Sequence, residues 1–128
     1  MTRYVLDSSA AVAFVLSEPG AQLVEEALAD CRVSAVNLAE IVSALINNGF
    51  PGDVSRDSVS RLDLDVVPFD AEQALEAGAL RETTRGHGLS LGDRACLALA
   101  RRLGLPALTA DRAWGDLNLG IEIQLIRE

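Results

Sequence analysis

The chain is predicted to be an α/β protein with a mostly parallel sheet and helices on both faces. Two observations predict it. Short apolar runs read as buried strands, and segments with helical spacing lie between them; strands alternating with helices form parallel βαβ units. Acidic residues then stand where strands hand over to helices or just inside a helix start, the side on which parallel sheets build their sites.

The elements follow in order. Arg3–Leu6 is a short buried strand. Ser8 or Ser9 caps a helix through Ala10–Leu16, which Pro19-Gly20 breaks. A second helix runs from Ala21 to Ala29, with Leu23, Ala27 and Leu28 on one side, and Arg32–Ala35 is a strand. Asn37 is expected to cap an amphipathic helix, with Leu38, Ile41, Val42, Leu45 and Ile46 at helical spacing. Asn48-Gly49 is its stop signal. Pro51-Gly52 opens a polar helical segment to Leu62, Leu64–Phe69 is a strand, and Asp70 caps a helix over Ala71–Thr84. Gly86-His87-Gly88 reads as a mobile loop. Ser90 caps a helix through Ala95–Ala100 to Gly104. Pro106–Thr109 is a strand, a short turn surrounds Ala113-Trp114-Gly115, and Ile121–Ile126 closes the sheet.

A length of 128 residues suits one domain, residues 1–128, with its own core. No apolar stretch reaches the roughly 18 residues a membrane span needs. The N-terminal residues run straight into strand-like sequence rather than a signal peptide, so a cytoplasmic protein is expected. Cys31 and Cys96 have no metal or redox spacing and sit in apolar contexts, as buried free thiols do. The net charge of −8 argues at first against a nucleic-acid partner. Carboxylates committed to a metal are neutralised in use, however. All eleven cationic side chains are arginine, the better fork for phosphate. Six of them fall between Arg81 and Arg112, although Arg101 and Arg102 also read simply as the cover of a helix end.

Four carboxylates carry the functional reading: Asp7 in Val5-Leu6-Asp7-Ser8-Ser9, Glu40 in Asn37-Leu38-Ala39-Glu40, Asp93 in Leu91-Gly92-Asp93, and Asp111 in Thr109-Ala110-Asp111. Taken singly, each has an ordinary explanation. Asp7 and Asp111 would cap the turns that follow, Asp93 would complete a capping box with Ser90, and Glu40 lies off the apolar stripe on a side carrying Ser43, Ala44 and Asn47. Taken together they converge at the carboxyl ends of parallel strands. There they repel one another unless a cation intervenes, and an oxygen-only cluster suits Mg²⁺ or Mn²⁺. A metal-dependent enzyme acting on phosphate is the expectation. His87, the one histidine, receives no role, and no glycine-rich phosphate loop is present.

These four segments, in this order and spanning nearly the whole chain, resemble a PIN domain, specifically a VapC-type toxin ribonuclease of a type II toxin–antitoxin module. The resemblance implies a three-layer α/β/α sandwich and Mg²⁺- or Mn²⁺-dependent endoribonuclease cleavage. It also implies a cognate, VapB-like antitoxin, an RNA substrate and a homodimer. By position, Asp7 and Asp93 match the family's main metal ligands, and Glu40 and Asp111 match the rest of the acidic site. Ser9 and Thr109 match nearby hydroxyls, and Asp116 matches a less regular fifth acid. Two rival readings remain at this level. One is a catalytically silent interaction protein that binds a basic partner segment. The other is a phosphatase for small phosphoesters, which Asp7-Ser8-Ser9 disfavours for want of a second aspartate.

Overall fold

A computed structural model describes residues Met1–Glu128. Its strands are β1 (Tyr4–Leu6), β2 (Cys31–Ser34), β3 (Asp65–Val67), β4 (Ala107–Thr109) and β5 (Ile123–Leu125). They form one sheet in the order β3-β2-β1-β4-β5, and every pairing is parallel. The helices are α1 (Ser8–Val15), α2 (Ala21–Ala27), α3 (Ala35–Asn47), α4 (Gly52–Arg61), α5 (Ala71–Thr84) and α6 (Leu91–Leu103).

Alternation along the strands divides the helices between two faces. Leu6, Val33 and Leu108 pack with Ala10, Val24, Ile41 and Val59 of α1 to α4. Val5 and Ala107 face the other way, toward Ala77, Leu80 and Leu97 of α5 and α6. The expected α/β/α sandwich results. α6 is buried at six consecutive positions, Ala95 to Ala100. A helix apolar on all sides needs cover all round, and α6 has it from α5, the sheet and α3.

The strand order places the site. The chain lays β1, β2 and β3 outward toward one edge, then returns through α5 and α6 to add β4 and β5 on the far side of β1. The direction of addition reverses between β1 and β4, where a crevice opens beyond the carboxyl ends of the strands. Leu6 stands in register with Leu108, so Asp7 and the Thr109–Asp111 segment leave the sheet side by side.

Several local expectations are corrected. The cap of α3 is Ser34, whose side chain accepts from Val36 N; Asn37 lies inside the helix, and the strand before it ends at Ser34. Strand pairing trims the segments expected at Leu64–Phe69 and Ile121–Ile126 to three residues each. α2 ends at Ala27 and continues as a 3-10 turn, Leu28–Asp30. Arg85–His87 forms another 3-10 turn in place of an irregular loop. Both cysteines are buried free thiols.

At the start of α6, Ser90 Oγ accepts from Asp93 N and Asp93 Oδ2 accepts from Ser90 N, the full capping box. Ser90→Ala removes one half of it. The expected cost is about 1 kcal/mol of stability, read as a lower midpoint in urea, with the Asp93 half retained.

Candidate active site

Asp7 occupies the N-cap position of α1, but its side chain makes no capping bond. It turns into the molecule and is only 2% exposed. Its Oδ2 accepts from Ser9 Oγ and from Thr109 Oγ1, the latter at 2.8 Å. Those hydroxyls are themselves held. Ser9 Oγ accepts from Ala110 N at 2.9 Å, and Thr109 Oγ1 accepts from Asp111 N at 3.1 Å. The β4 end thus locks the Asp7 carboxylate by one oxygen. The other, Oδ1, is buried with no partner. Burial is the main cause that lifts the Asp7 pKa from 3.8 to about 6; the two hydroxyls oppose the shift, and the charges of Asp93 and Glu40 add to it.

Glu40 lies within electrostatic reach of Asp7, at the edge of the exposed side that carries Ser43 and Asn47. It is half-buried, and its Oε1 accepts from Ser8 Oγ at 3.0 Å and from Asn37 Nδ2 at 2.9 Å. Ser43, Ala44 and Asn47 line a groove that opens beside it. Asp93 is also half-buried. Its Oδ2 serves the α6 cap, so the ordinary role and a functional one coexist on one carboxylate. Asp111 is exposed, and its Oδ1 accepts from Ala113 N, which caps the 3-10 turn Arg112–Asp116. Buried Trp114 anchors that turn in the core. Asp116 lies exposed at its end, and His87 is exposed in its own turn.

The structure therefore brings Asp7, Glu40 and Asp93 within electrostatic reach of one another, with Asp111 on the exposed rim. The donor chemistry suits a hard cation. A desolvated carboxylate with one bare oxygen, next to two further carboxylates, is relieved either by a proton, as its raised pKa records, or by a cation. No three acidic side chains close into an all-protein cage.

The family model described as PIN domain matches residues 4–118. The chain belongs to the PIN domain family. Its relatives include Ribonuclease VapC42 of Mycobacterium tuberculosis, 38% identical over 115 residues that cover 81% of this chain and 87% of that one. Ribonuclease VapC of Mycolicibacterium smegmatis is 35% identical over 119 residues, 86% of this chain and 92% of that one. The fold is shared with the DNA-bound VapBC of Salmonella typhimurium, with a TM-score of 0.76, 17% identity, and 98% and 99% of the two chains covered. It is also shared with VapC20 of Mycobacterium tuberculosis, described as a sarcin-ricin loop cleaving toxin, with a TM-score of 0.72, 15% identity, and 93% and 98% covered.

Three polar or backbone features of this PIN domain escape a reading of the sequence. Asn37 looks like a helix cap but is fully buried against Glu40 and Gly92. Ser8 looks like a cap for α1 but bonds Glu40. Gly92 sits in the first turn of α6, where glycine costs about 1 kcal/mol against alanine; that cost is the signal that could have singled it out. Three of the six clustered arginines are accounted for by α6 itself. Arg101 and Arg102 lie at the last turn of α6, roughly 15 Å from its start at the site, and Arg94 Nη1 is engaged by the Ala77 carbonyl at 3.0 Å.

Proposed function

We propose that this chain, acting as one nuclease domain over residues 1–128, is the toxin of a toxin–antitoxin pair and hydrolyses RNA phosphodiester bonds with Mg²⁺ or Mn²⁺. The observation that carries the reading is Asp7: buried, locked by Ser9 and Thr109 through one oxygen, and bare at the other beside Glu40 and Asp93. The ribonuclease names of relatives that align over most of the chain support it.

Asp7 and Asp93 would hold the cation, and Glu40 and Asp111 complete the acidic site. When bound, a divalent cation neutralises phosphate charge and acidifies water for attack. The protein contributes the rest. Ser9 and Thr109 keep Asp7 from rotating, so its free oxygen is presented at low reorganisation cost. Glu40 has one oxygen tied to Ser8 and Asn37 and keeps the other for a proton of the attacking water. Asp111, at the rim, faces the incoming strand. The route uses water as nucleophile and does not need the ribose 2′-OH. RNA is bound through exposed arginines to its phosphates and through loops to unstacked bases.

The partner is a VapB-like antitoxin, and the toxin is a cytoplasmic homodimer. An acidic crevice on a protein of net charge −8 attracts an arginine-bearing peptide as well as metal and RNA. An arginine fork against Asp7, Asp93 or Asp111 pairs with the carboxylate and competes with the cation.

Incubation of the purified protein with labelled structured RNA tests the activity. Cleavage is expected with Mg²⁺ or Mn²⁺, none with EDTA, and none with the co-purified product of the neighbouring gene. Antitoxin binding should weaken with salt, and replacing its arginine should restore cleavage. Cleavage that survives EDTA overturns the metal reading, and a complex as active as the free protein overturns the blocking mechanism.

A further inference from the structure

Glu40 stands where it does because residue 92 has no side chain. A Cβ built on Gly92 would fall on the Glu40 carboxylate. Gly92 is buried in the first turn of α6, a position where alanine is the better helix former. Asn37 closes the opposite side. It lies one turn before Glu40 on α3, and residues three apart on a helix are neighbours. Its Nδ2 donates to Glu40 Oε1 at 2.9 Å and to the Gly92 carbonyl at 3.0 Å. Both amide protons are thereby committed, so the amide has one orientation; flipping it would set oxygen against two acceptors. The consequence is an Asn37 Oδ1 that is buried and unpartnered. A fully buried amide with one orphaned oxygen is a poor device for stability. It is a good device for holding a carboxylate against a neighbouring helix.

We propose that Asn37 and Gly92 are positioning residues that seat the Glu40 carboxylate between α3 and the start of α6, and so set its place relative to Asp7 and Asp93. The seat stands on geometry; its effect on turnover rests on the nuclease reading above.

Three variants test it: Gly92→Ala, Glu40→Ala and the two combined. Each is followed by melting temperature in EDTA, by Mn²⁺ affinity in calorimetry, and by kcat and KM on RNA. Gly92→Ala should fold, because only the mobile end of a side chain stands in its way. Its Mn²⁺ affinity and kcat should fall about 10- to 100-fold, the range for groups that orient a metal site, with KM nearly unchanged. In the Glu40→Ala background the same substitution should leave Mn²⁺ affinity where it was. It should raise the melting temperature more than it does alone, because alanine no longer meets a carboxylate. Asn37→Ala should repeat the kcat loss and likewise cost no further affinity without Glu40. A Gly92→Ala protein with wild-type kcat and Mn²⁺ affinity overturns the inference, as does a thermal effect of equal size with and without Glu40. A wild type that cleaves no RNA would fault the nuclease reading, and the melting-temperature cycle would still decide the seat.

Discussion

Asp7→Asn is expected to reduce RNA cleavage to background and to raise the melting temperature of the metal-free protein at neutral pH. The two effects share one cause. Folding desolvates Asp7 and lifts its pKa from 3.8 to about 6, mainly by burial, with Asp93 and Glu40 adding repulsion. Ionising it in the folded protein therefore costs roughly 3 kcal/mol more than in the unfolded chain. Asparagine keeps the shape and one oxygen for the Ser9 and Thr109 hydroxyls but carries no charge. Some of the relief is offset, because hydrogen bonds to a neutral amide are weaker than bonds to a carboxylate. A net gain of about 1–2 kcal/mol remains, several degrees in melting temperature for a domain of this size. The same substitution removes the charge that a cation needs, so Mn²⁺ should no longer stabilise the protein. A variant that cleaves RNA at the wild-type rate, free of contaminating nuclease, would show that Asp7 is not at the centre of the chemistry. A marked fall in melting temperature would show that its burial is not a strain on the apo fold.

The second large effect is on metal affinity as pH falls. The cation must displace a proton from Asp7 at any pH below about 6. Mn²⁺ affinity is therefore expected to level off above pH 7 and to drop about tenfold between pH 7 and pH 5. The stability of the metal-free protein runs the other way. The folded state holds this proton more tightly than the unfolded chain does. Asp7 thus favours folding most at low pH, and its contribution declines as pH rises from 3.8 to about 6 and is constant above. Calorimetric titrations across this range, paired with melting curves in EDTA, read both slopes. The difference between wild type and Asp7→Asn isolates Asp7 from the other carboxylates that titrate nearby. Equal Mn²⁺ affinity at pH 5 and pH 7 would mean that the bound ion does not contact Asp7.

The class of fold, the order of its elements and the identity of the four carboxylates are all local in the chain. Hydrophobic spacing marks α3 and α6 because a helix repeats its faces within a few residues. The Ser90–Asp93 capping box and the Asp70 cap are legible for the same reason, since their donors and acceptors lie three residues apart. The order of the acidic motifs carried the family, and the match over residues 4–118 bears that out. Other properties depended on residues brought together from distant parts of the chain. Strand lengths were set by which neighbours pair, so β3 and β5 came out shorter than their apolar runs. The six arginines close in sequence were divided among α5, α6 and two 3-10 turns, with Arg94 near the start of α6 and Arg101 and Arg102 in its last turn. Asn37 shows the limit best. Its local environment is that of a helix cap, and only the approach of α6 across 55 positions of sequence gives its amide the Gly92 carbonyl. Asp7 is similar: its carboxylate is fixed by a threonine 102 residues away, because the reversal of strand order sets β1 beside β4. Propensity and periodicity report what a residue does with its near neighbours. Burial, the pKa of Asp7 and the seat of Glu40 are decided by which distant backbone excludes the water, and that is settled only when the sheet closes.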